Sequence, residues 1–488
     1  MMPEARATEA SSADGGPLPW RVNAGWAAVV ALIAADVVAW MFCTAVVVGA
    51  ALAFHEELDL ASVHPWLLVP WIAFRSVGRL YPAIGLPPTE EVRRSFLSAL
   101  AIGFLDFVSR IAAGGAPVVA ILMLLPWLMV PFVVHFTRAF ARVWLRRRQL
   151  FGIPVIILGS GTNARRAIRE MITQPELGLV PVGCFGDEVS PDGSRQILGI
   201  PILASIEQGM EYEFPYVVRH GMMALSPREA GPTRLLEVLN LYTERLPRMY
   251  LFPSLVGLAN LSVRPLALGS YCALSVSHLR FSSVNQFVKR SFDLLFAVPI
   301  TLLVLPIIAI CAILVKFNSP GPAFFSQVRE GRNGAPIRVF KLRTMVPNAG
   351  GKLREYLAQN PEAEIEYERT LKLRNDPRII PRVGSLLRRA SLDELPQLFG
   401  VLAGTMSLVG PRVMPRAEVD RFSLRGQRLR RDVPPGITGL WQVSHRNNGD
   451  LRIREVADSY YVDNWSIWMD LWILLRTVRV VLGRQGAY

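Results

Sequence analysis

Residues 26–54 form an almost unbroken apolar run in which Asp36 is the one charge. About 20 apolar residues let a helix cross a bilayer, and a backbone in hydrocarbon must satisfy its own peptide groups. The run therefore commits the chain to a membrane, with helices as the spanning element. Similar stretches at 66–84, 96–113 and 116–136 bring the expectation to four transmembrane helices, although Arg75, Arg79 and Asp106 interrupt the second and third. A hydrophobic content of 51% exceeds the usual share of a soluble chain and needs such segments.

Charge sets the expected orientation. Arg21 precedes the first stretch, Arg79, Arg93 and Arg94 lie around the second connection, and Arg138, Arg142, Arg146, Arg147 and Arg148 follow the fourth stretch. Positive charge gathers on the cytoplasmic side. After the first stretch come His55, Glu56, Glu57 and Asp59 without Lys or Arg, as in an external loop. That first stretch is too long for a signal-peptide core and follows no compact basic segment. Asp36 is expected to hydrogen-bond between helices. Cys43, Cys184, Cys272 and Cys311 are scattered, and the six histidines form no spaced cluster, so neither disulfides nor zinc is expected. The net charge of +14 flanks the apolar stretches and the basic blocks below. It points to anionic lipid and phosphate-bearing ligands rather than nucleic acid.

From residue 151 short apolar runs alternate with helical patterns. Residues 153–158 read as a buried strand, Gly159-Ser160-Gly161-Thr162-Asn163-Ala164 opens a helix, and 182–185 reads as the next strand, ending near Asp187. This is the start of a doubly wound, Rossmann-like α/β unit. Gly159, Gly161 and Asp187 are compatible with a dinucleotide fingerprint, although such turns also persist in domains that bind no cofactor.

Ser391-Leu392-Asp393-Glu394-Leu395-Pro396-Gln397 carries the chemistry. Leu392, Leu395, Leu398, Phe399 and Leu402 recur at helical spacing, so a helix starting at Ser391 would bury that face and turn Asp393 and Glu394 toward solvent or ligand. One reading is a Ser-x-x-Glu capping box alone. The other rests on Arg378, Arg382, Arg388 and Arg389 before the pair and Gly410-Pro411-Arg412 after it. Guanidinium groups hold phosphate oxygens, and a carboxylate can attack phosphorus only where cations neutralise the anionic substrate.

Several blocks in order resemble the bacterial polyprenyl-phosphate hexose-1-phosphate transferases. They are Lys289-Arg290-Ser291-Phe292-Asp293, Phe340-Lys341-Leu342-Arg343-Thr344-Met345, the 391–397 run, Ser407-Leu408-Val409-Gly410-Pro411-Arg412, and Pro435-Gly436-Ile437-Thr438-Gly439-Leu440-Trp441-Gln442-Val443. The resemblance implies Asp393 as nucleophile and Glu394 as a ligand of Mg²⁺. Arg412 and then Arg446 are the first candidates for a phosphate clamp, followed by Arg388, Lys341 and Arg343; each also suits a surface ion pair. Val413 replaces the family's second proline, Pro434 replaces an arginine, and His445 replaces a glycine. These changes bear on substrate choice and loop geometry rather than on the nucleophile.

Residues 294–315 form a fifth apolar stretch, with Lys289 and Arg290 before it, Lys316 after it and Pro299 and Pro306 inside. Basic residues on both flanks place both ends in the cytoplasm. The resemblance implies a re-entrant helix over 290–316 broken at Pro306; a kinked span is the alternative. Trp465, Trp468, Leu471, Trp472, Leu475 and Val478 make an apolar face suited to an interfacial helix or to core packing.

The expected architecture is an integral membrane α/β protein: a four-helix transmembrane region over 1–148, a Rossmann-like regulatory or oligomerisation domain over 149–270, and a mainly helical monotopic phosphoglycosyl transferase domain over 285–488. The implied reaction moves hexose 1-phosphate from a UDP-hexose to undecaprenyl phosphate through an aspartyl intermediate. The implied setting is the cytoplasmic face of a bacterial inner membrane, as a homo-oligomer, most simply a dimer. An NAD-dependent nucleotide-sugar dehydratase or epimerase is the rival enzyme, but no tyrosine here has a lysine four residues on. A non-enzymatic export scaffold would not require the carboxylates and their arginines.

Overall fold

The computed structural model describes residues 24–53, 63–187, 195–213, 218–225, 232–243, 245–252, 262–268, 271–277, 283–370, 373, 376–444 and 451–482. The chain divides into two compact units, Met1–Leu255 and Val256–Tyr488.

The first unit opens with α1 (Ala24–Ala53), α2 (Leu68–Val77), α3 (Pro88–Ala112), α4 (Pro117–Leu122) and α5 (Leu124–Arg147). Gly25–Ala53, Pro88–Ala112 and Pro117–Arg147 are long and apolar enough to cross a membrane, as is Ser283–Asn318 in the second unit. Four such helices mark a membrane protein, but the set differs from the expected one. The stretch at 66–84 is a 3-10 turn, Pro65–Leu67, followed by the ten-residue α2. That is about 15 Å of α-helix, half a bilayer core. Its charge explains the difference. Arg75 is fully buried, and α2 stops at Gly78, with Arg79 left-handed at φ 54°.

Asp36 does join helices. It accepts 2.7 Å bonds from Nε and Nη2 of Arg138 on α5, and a bond from the Tyr81 hydroxyl. Arg75 Nε lies 3.0 Å away. Arg138 also donates to Glu91 of α3 at 2.9 Å, and Arg142 does so at 2.7 Å. One ion cluster thus ties α1, α2, α3 and α5. Toward the other end of α3, Asp106 accepts from Arg110 (2.8 Å) and from Trp127 Nε1 of α5 (3.0 Å), with His64 Nδ1 at 2.8 Å. Arg75 and Asp106, the interruptions of the apolar stretches, therefore face protein. At Gly103 a Cβ would lie 2.8 Å from that of Trp127, so the glycine lets α3 and α5 approach closely.

The rest of this unit is a six-stranded sheet: β1 (Ile153–Leu158), β2 (Leu179–Phe185), β3 (Gln196–Ile197), β4 (Ile200–Ala204), β5 (His220–Met223) and β6 (Arg248–Leu251). Its order is β3-β4-β2-β1-β5-β6, parallel except for β3 against β4. Helices α6 (Thr162–Thr173) and α7 (Pro232–Thr243) connect it. Val155 and Ile157 of β1 pack with Ala164, Ala167 and Ile168 of α6, whereas Ile156 and Leu158 pack with Val238 and Tyr242 of α7. A central strand apolar on both faces, with a helix on each, is the doubly wound arrangement expected for this region.

The second unit begins with the antiparallel hairpin β7 (Ser262–Leu268) and β8 (Tyr271–Ser277). Next comes α8 (Ser283–Asn318), whose assignment runs unbroken across Pro299 and Pro306. Pro306 therefore does not end the helix; each proline removes one ladder bond and its neighbours hold the element together. Then follow the hairpin β9 (Phe324–Glu330) and β10 (Pro336–Leu342), with α9 (Ala349–Gln359), α10 (Pro361–Thr370), α11 (Val383–Arg389) and α12 (Gln397–Leu402). Strand β11 (Ser407–Val409) pairs in parallel with β12 (Gly436–Thr438) across α13 (Arg416–Val419) and α14 (Leu424–Asp432). Helices α15 (Leu440–Ser444), α16 (Leu451–Asp463) and α17 (Ile467–Leu482) complete it.

Both ends of α8 are embedded in this module. Lys289 bonds Asp470 of α17 at 2.7 Å, Arg290 donates to the carbonyls of Val401 and Leu402 at 2.5 and 2.8 Å, and Asp293 accepts from Ser407 Oγ (2.8 Å) and Leu408 N (3.1 Å). At the other end Cys311 and Val315 pack with Leu342, Ile380 and Leu387. Core packing also claims α17: Leu471, Trp472, Ile473 and Leu475 are buried, and Asp470 just before them is wholly inaccessible. The first half of α17 is thus core, one of the two readings of its apolar face, while Val478 of that face is 46% exposed.

Removing one member of a buried ion cluster leaves the others uncompensated. Asp36→Asn should therefore destabilise the first unit by about 3–5 kcal/mol, read as a lower melting temperature of the purified protein in detergent. An unchanged melting temperature would show that the cluster does not hold these helices together.

Candidate active site

The carboxylate pair sits on a 3-10 turn, Leu392–Glu394, entered through Ser391 in the left-handed region at φ 55°. Helix α12 starts only at Gln397, after Pro396, whose missing N–H denies a helix from Ser391 one of its bonds. Two expectations are corrected here. No helix runs continuously from Ser391, and Ser391 makes no side-chain cap, so no capping box forms. Leu392 and Leu398 pack inward, while Phe399 is 40% exposed.

The two carboxylates are treated differently. Glu394 Oε1 accepts from Lys341 Nζ of β10 at 2.7 Å and from Arg412 Nη2, just past β11, at 3.0 Å. Asp393 makes no ion pair among the described residues. Burial above all, and then the Glu394 charge, hold its carboxyl above the usual aspartate range, while Lys341 and Arg388 pull it back. One acid is neutralised and its neighbour keeps a raised affinity for its proton, a division that gives adjacent carboxylates separate roles.

Arg412 is aimed by its backbone. Gly410 N donates to Thr438 O and Gly436 N to Pro411 O, both at 2.9 Å, and Glu330 N donates to Met414 O at 3.1 Å. A Cβ on Gly410 would stand 2.7 Å from the Pro434 carbonyl, which accounts for glycine in that block. Arg430 Nη2 donates to the Arg412 carbonyl at 2.7 Å. These bonds define the loop after Gly410, Val413 included.

A cleft of about 190 Å³ opens between the β9–β10 hairpin, the segment after Arg412 and α16; Gln327, Arg329, Lys341, Glu394, Arg412 and Arg454 line it. Asp393 lies beside this cleft rather than in its wall. Among the other expected site residues, Arg388 is close enough to act on Asp393. Arg343 is elsewhere: it is buried and donates to the carbonyls of Ser319 and Pro320 at 2.8 and 2.5 Å, fastening the chain as it leaves α8. Arg378 pairs with Asp376 and Arg389 with Ser385. Arg446 lies outside the described residues.

Gln327, Arg329 and Arg454 were not anticipated. The register sets Gln327 opposite Val339 and Arg329 opposite Ile337, on the face that carries Lys341, so strand alternation holds a signal for the first two. Arg454 has none, since an arginine in the first turn of α16, two residues from Arg452, reads as a surface cation. Two carboxylates without a third ligand suit Mg²⁺ held partly by substrate phosphates, and no larger cluster of metal-ligating side chains occurs among the described residues. In the first unit, Gly159 is at φ 120°, and a Cβ there would lie 2.8 Å from the Ala224 carbonyl. Asn163 donates to Leu225 O at 2.7 Å, Gly161 precedes α6 in extended backbone, and Asp187 is exposed beyond β2. Close approach of β1 and β5 thus explains the glycine at 159.

A bacterial sugar transferase family model matches residues 284–484, and a CoA-binding domain model matches residues 92–220. The UDP-galactose-lipid carrier transferase of Erwinia amylovora is 35% identical over 448 residues, 89% of this chain and 90% of its own. The undecaprenyl-phosphate galactose phosphotransferase of Salmonella typhimurium is 34% identical over 74% of this chain and 75% of its own. The exopolysaccharide production protein ExoY of Sinorhizobium fredii is 40% identical over 205 residues, 42% of this chain but 90% of its own.

A carboxyl whose folded-state pKa is raised penalises folding fully above that pKa and not at all below its unfolded value. Asp393→Asn should therefore melt at a higher temperature than the natural protein at neutral pH. The gain should shrink as pH falls through the raised pKa, because the aspartate is then neutral too. Thermal melts across that pH range check this; a melting point lowered at neutral pH would contradict it.

Proposed function

The chain belongs to the polyprenyl-phosphate hexose-1-phosphate transferases, the bacterial sugar transferase family, and on that premise we propose that it transfers hexose 1-phosphate from a UDP-hexose to undecaprenyl phosphate. The observation that carries this reading is the division of labour between the adjacent acids, with Glu394 clamped by Lys341 and Arg412 and Asp393 in no ion pair among the described residues. In the first step an Asp393 oxygen attacks the β-phosphorus. The bond from that phosphorus to the bridging oxygen breaks, and UMP leaves with the electron pair. In the second, an oxygen of undecaprenyl phosphate attacks the same phosphorus and the aspartyl–phosphorus bond breaks. The product is undecaprenyl-diphosphate-hexose, the start of a lipid-linked polysaccharide.

Lys341 and Arg412 lower the negative potential that would repel an anionic substrate from Asp393. Glu394, with substrate oxygens, would hold Mg²⁺, which when bound offsets diphosphate charge. Arg388 keeps Asp393 ionised enough to attack, and Arg446 remains a second candidate clamp.

This chemistry belongs on the cytoplasmic face of the inner membrane, with α8 entering and leaving on that face. Support comes from the packing of both ends in one unit: a straight helix would set Lys289 and Val315 about 39 Å apart at ~1.5 Å per residue. The sheet domain is assigned a regulatory or oligomeric role in a dimer, outside the chemistry; in support, the bacterial sugar transferase model matches residues 284–484, C-terminal to that domain.

Purified protein given radiolabelled UDP-galactose or UDP-glucose with undecaprenyl phosphate and Mg²⁺ should pass label to lipid and release UMP. Asp393→Asn should fall to background, whereas Glu394→Gln should lower the rate and weaken the Mg²⁺ dependence. Turnover by Asp393→Asn equal to the natural protein would sink the reading. For the topology, single cysteines at Ser291 and Asn318, in a background free of native cysteines, should both resist an impermeant thiol reagent applied to intact cells. Labelling of Asn318→Cys from outside would make α8 a true span.

A further inference from the structure

Two cations of the cleft have no part in that scheme, Arg329, which donates to Gln327 on its own strand, and Arg454. Arg454, from α16, lines the cleft beside Arg412. Lys341 and Arg412 share Glu394, and Arg430 is paired with Asp458, whereas Arg454 has no carboxylate in salt-bridge contact among the described residues. It is nevertheless held in place. Its guanidinium stands 4.9 Å from the centre of the Trp441 ring and Nη2 donates to the Arg412 carbonyl at 3.2 Å. Its Nε is buried with no partner.

Burial above all lowers its pKa to about 10; the charges of Arg430 and Arg412 act the same way and Asp458 opposes them. The group therefore stays charged at neutral pH, in an arrangement that a bound anion would relieve. The cleft's volume of about 190 Å³ is below the roughly 300–1,000 Å³ of sites that enclose a whole small ligand. It suits a phosphate pair whose sugar and nucleoside extend outside. In the proposed scheme Glu394 adjoins the phosphorus attacked by Asp393; Arg412 donates to Glu394, and Arg454 donates in turn to the Arg412 carbonyl, one step further along.

We propose that Arg454 binds the α-phosphate of the UDP-hexose, the phosphate that departs on UMP. This assignment rests on the transferase reading above.

UMP carries that phosphate and uridine lacks it. Equilibrium dialysis of radiolabelled UMP and uridine against the full-length protein should show UMP affinity falling about tenfold or more in Arg454→Gln with uridine affinity unchanged. The KM for UDP-hexose should rise and that for undecaprenyl phosphate should not. Arg454→Lys, which keeps the charge but not the fork, should lose only about threefold in UMP affinity, and it carries the test if Arg454→Gln does not fold. UMP affinity unchanged in both variants overturns the assignment. Equal loss of UMP and uridine overturns it in favour of a structural role, and a rise confined to the KM for undecaprenyl phosphate overturns it in favour of the lipid phosphate. Absence of transfer by the natural protein would instead refute the transferase reading, whatever UMP binding showed.

Discussion

Two carboxylates on consecutive residues of a tight, partly buried turn repel one another, and the architecture around Asp393 and Glu394 follows from how that repulsion is relieved. Lys341 arrives on the second strand of a hairpin and Arg412 on the loop leaving a short parallel strand pair, and both close on Glu394. That strand pair is fastened in turn to α8 through Asp293 and Ser407, and α8 to α17 through Lys289 and Asp470. A chain of buried polar contacts thus links the apolar helix to the loop that carries Arg412. Such networks rigidify when every member is satisfied, as the proposed attack of Asp393 on phosphorus in one geometry would require.

The same logic operates in the first unit. Asp36, Arg75, Arg138, Glu91 and Tyr81 are too polar for lipid, and each is tolerable only because the others surround it. The cluster therefore selects one packing of α1, α2, α3 and α5.

Much of this could be read from the residues because burial leaves a periodic trace. The apolar stretches at 26–54, 96–113 and 116–136 correspond to long helices, and 153–158 to a strand buried on both faces. The basic and acidic blocks at 341, 394 and 412 meet although distant in sequence. What failed to show was decided by single tertiary contacts. Arg75 makes an apolar stretch into a short helix because its partner, Asp36, lies on another helix. Arg343 resembles a substrate cation by neighbourhood, yet caps the carbonyls that follow α8. Ser391 resembles a helix cap, yet Pro396 forces a 3-10 turn. Arg454 had no spacing to betray it, because its role depends on Trp441 and Arg412 folding against it.

The central claim is that Asp393, beside a Glu394 held by Lys341 and Arg412, becomes the covalent carrier of the sugar phosphate. The most direct measurement is mass spectrometry of the natural protein, quenched in acid within milliseconds of mixing with UDP-hexose and Mg²⁺ in the absence of undecaprenyl phosphate. The account requires a hexose-phosphate adduct on the peptide containing Asp393, absent from Asp393→Asn and discharged when undecaprenyl phosphate is added before the quench. Full turnover with no adduct at any time, or an adduct that persists in Asp393→Asn, would contradict it.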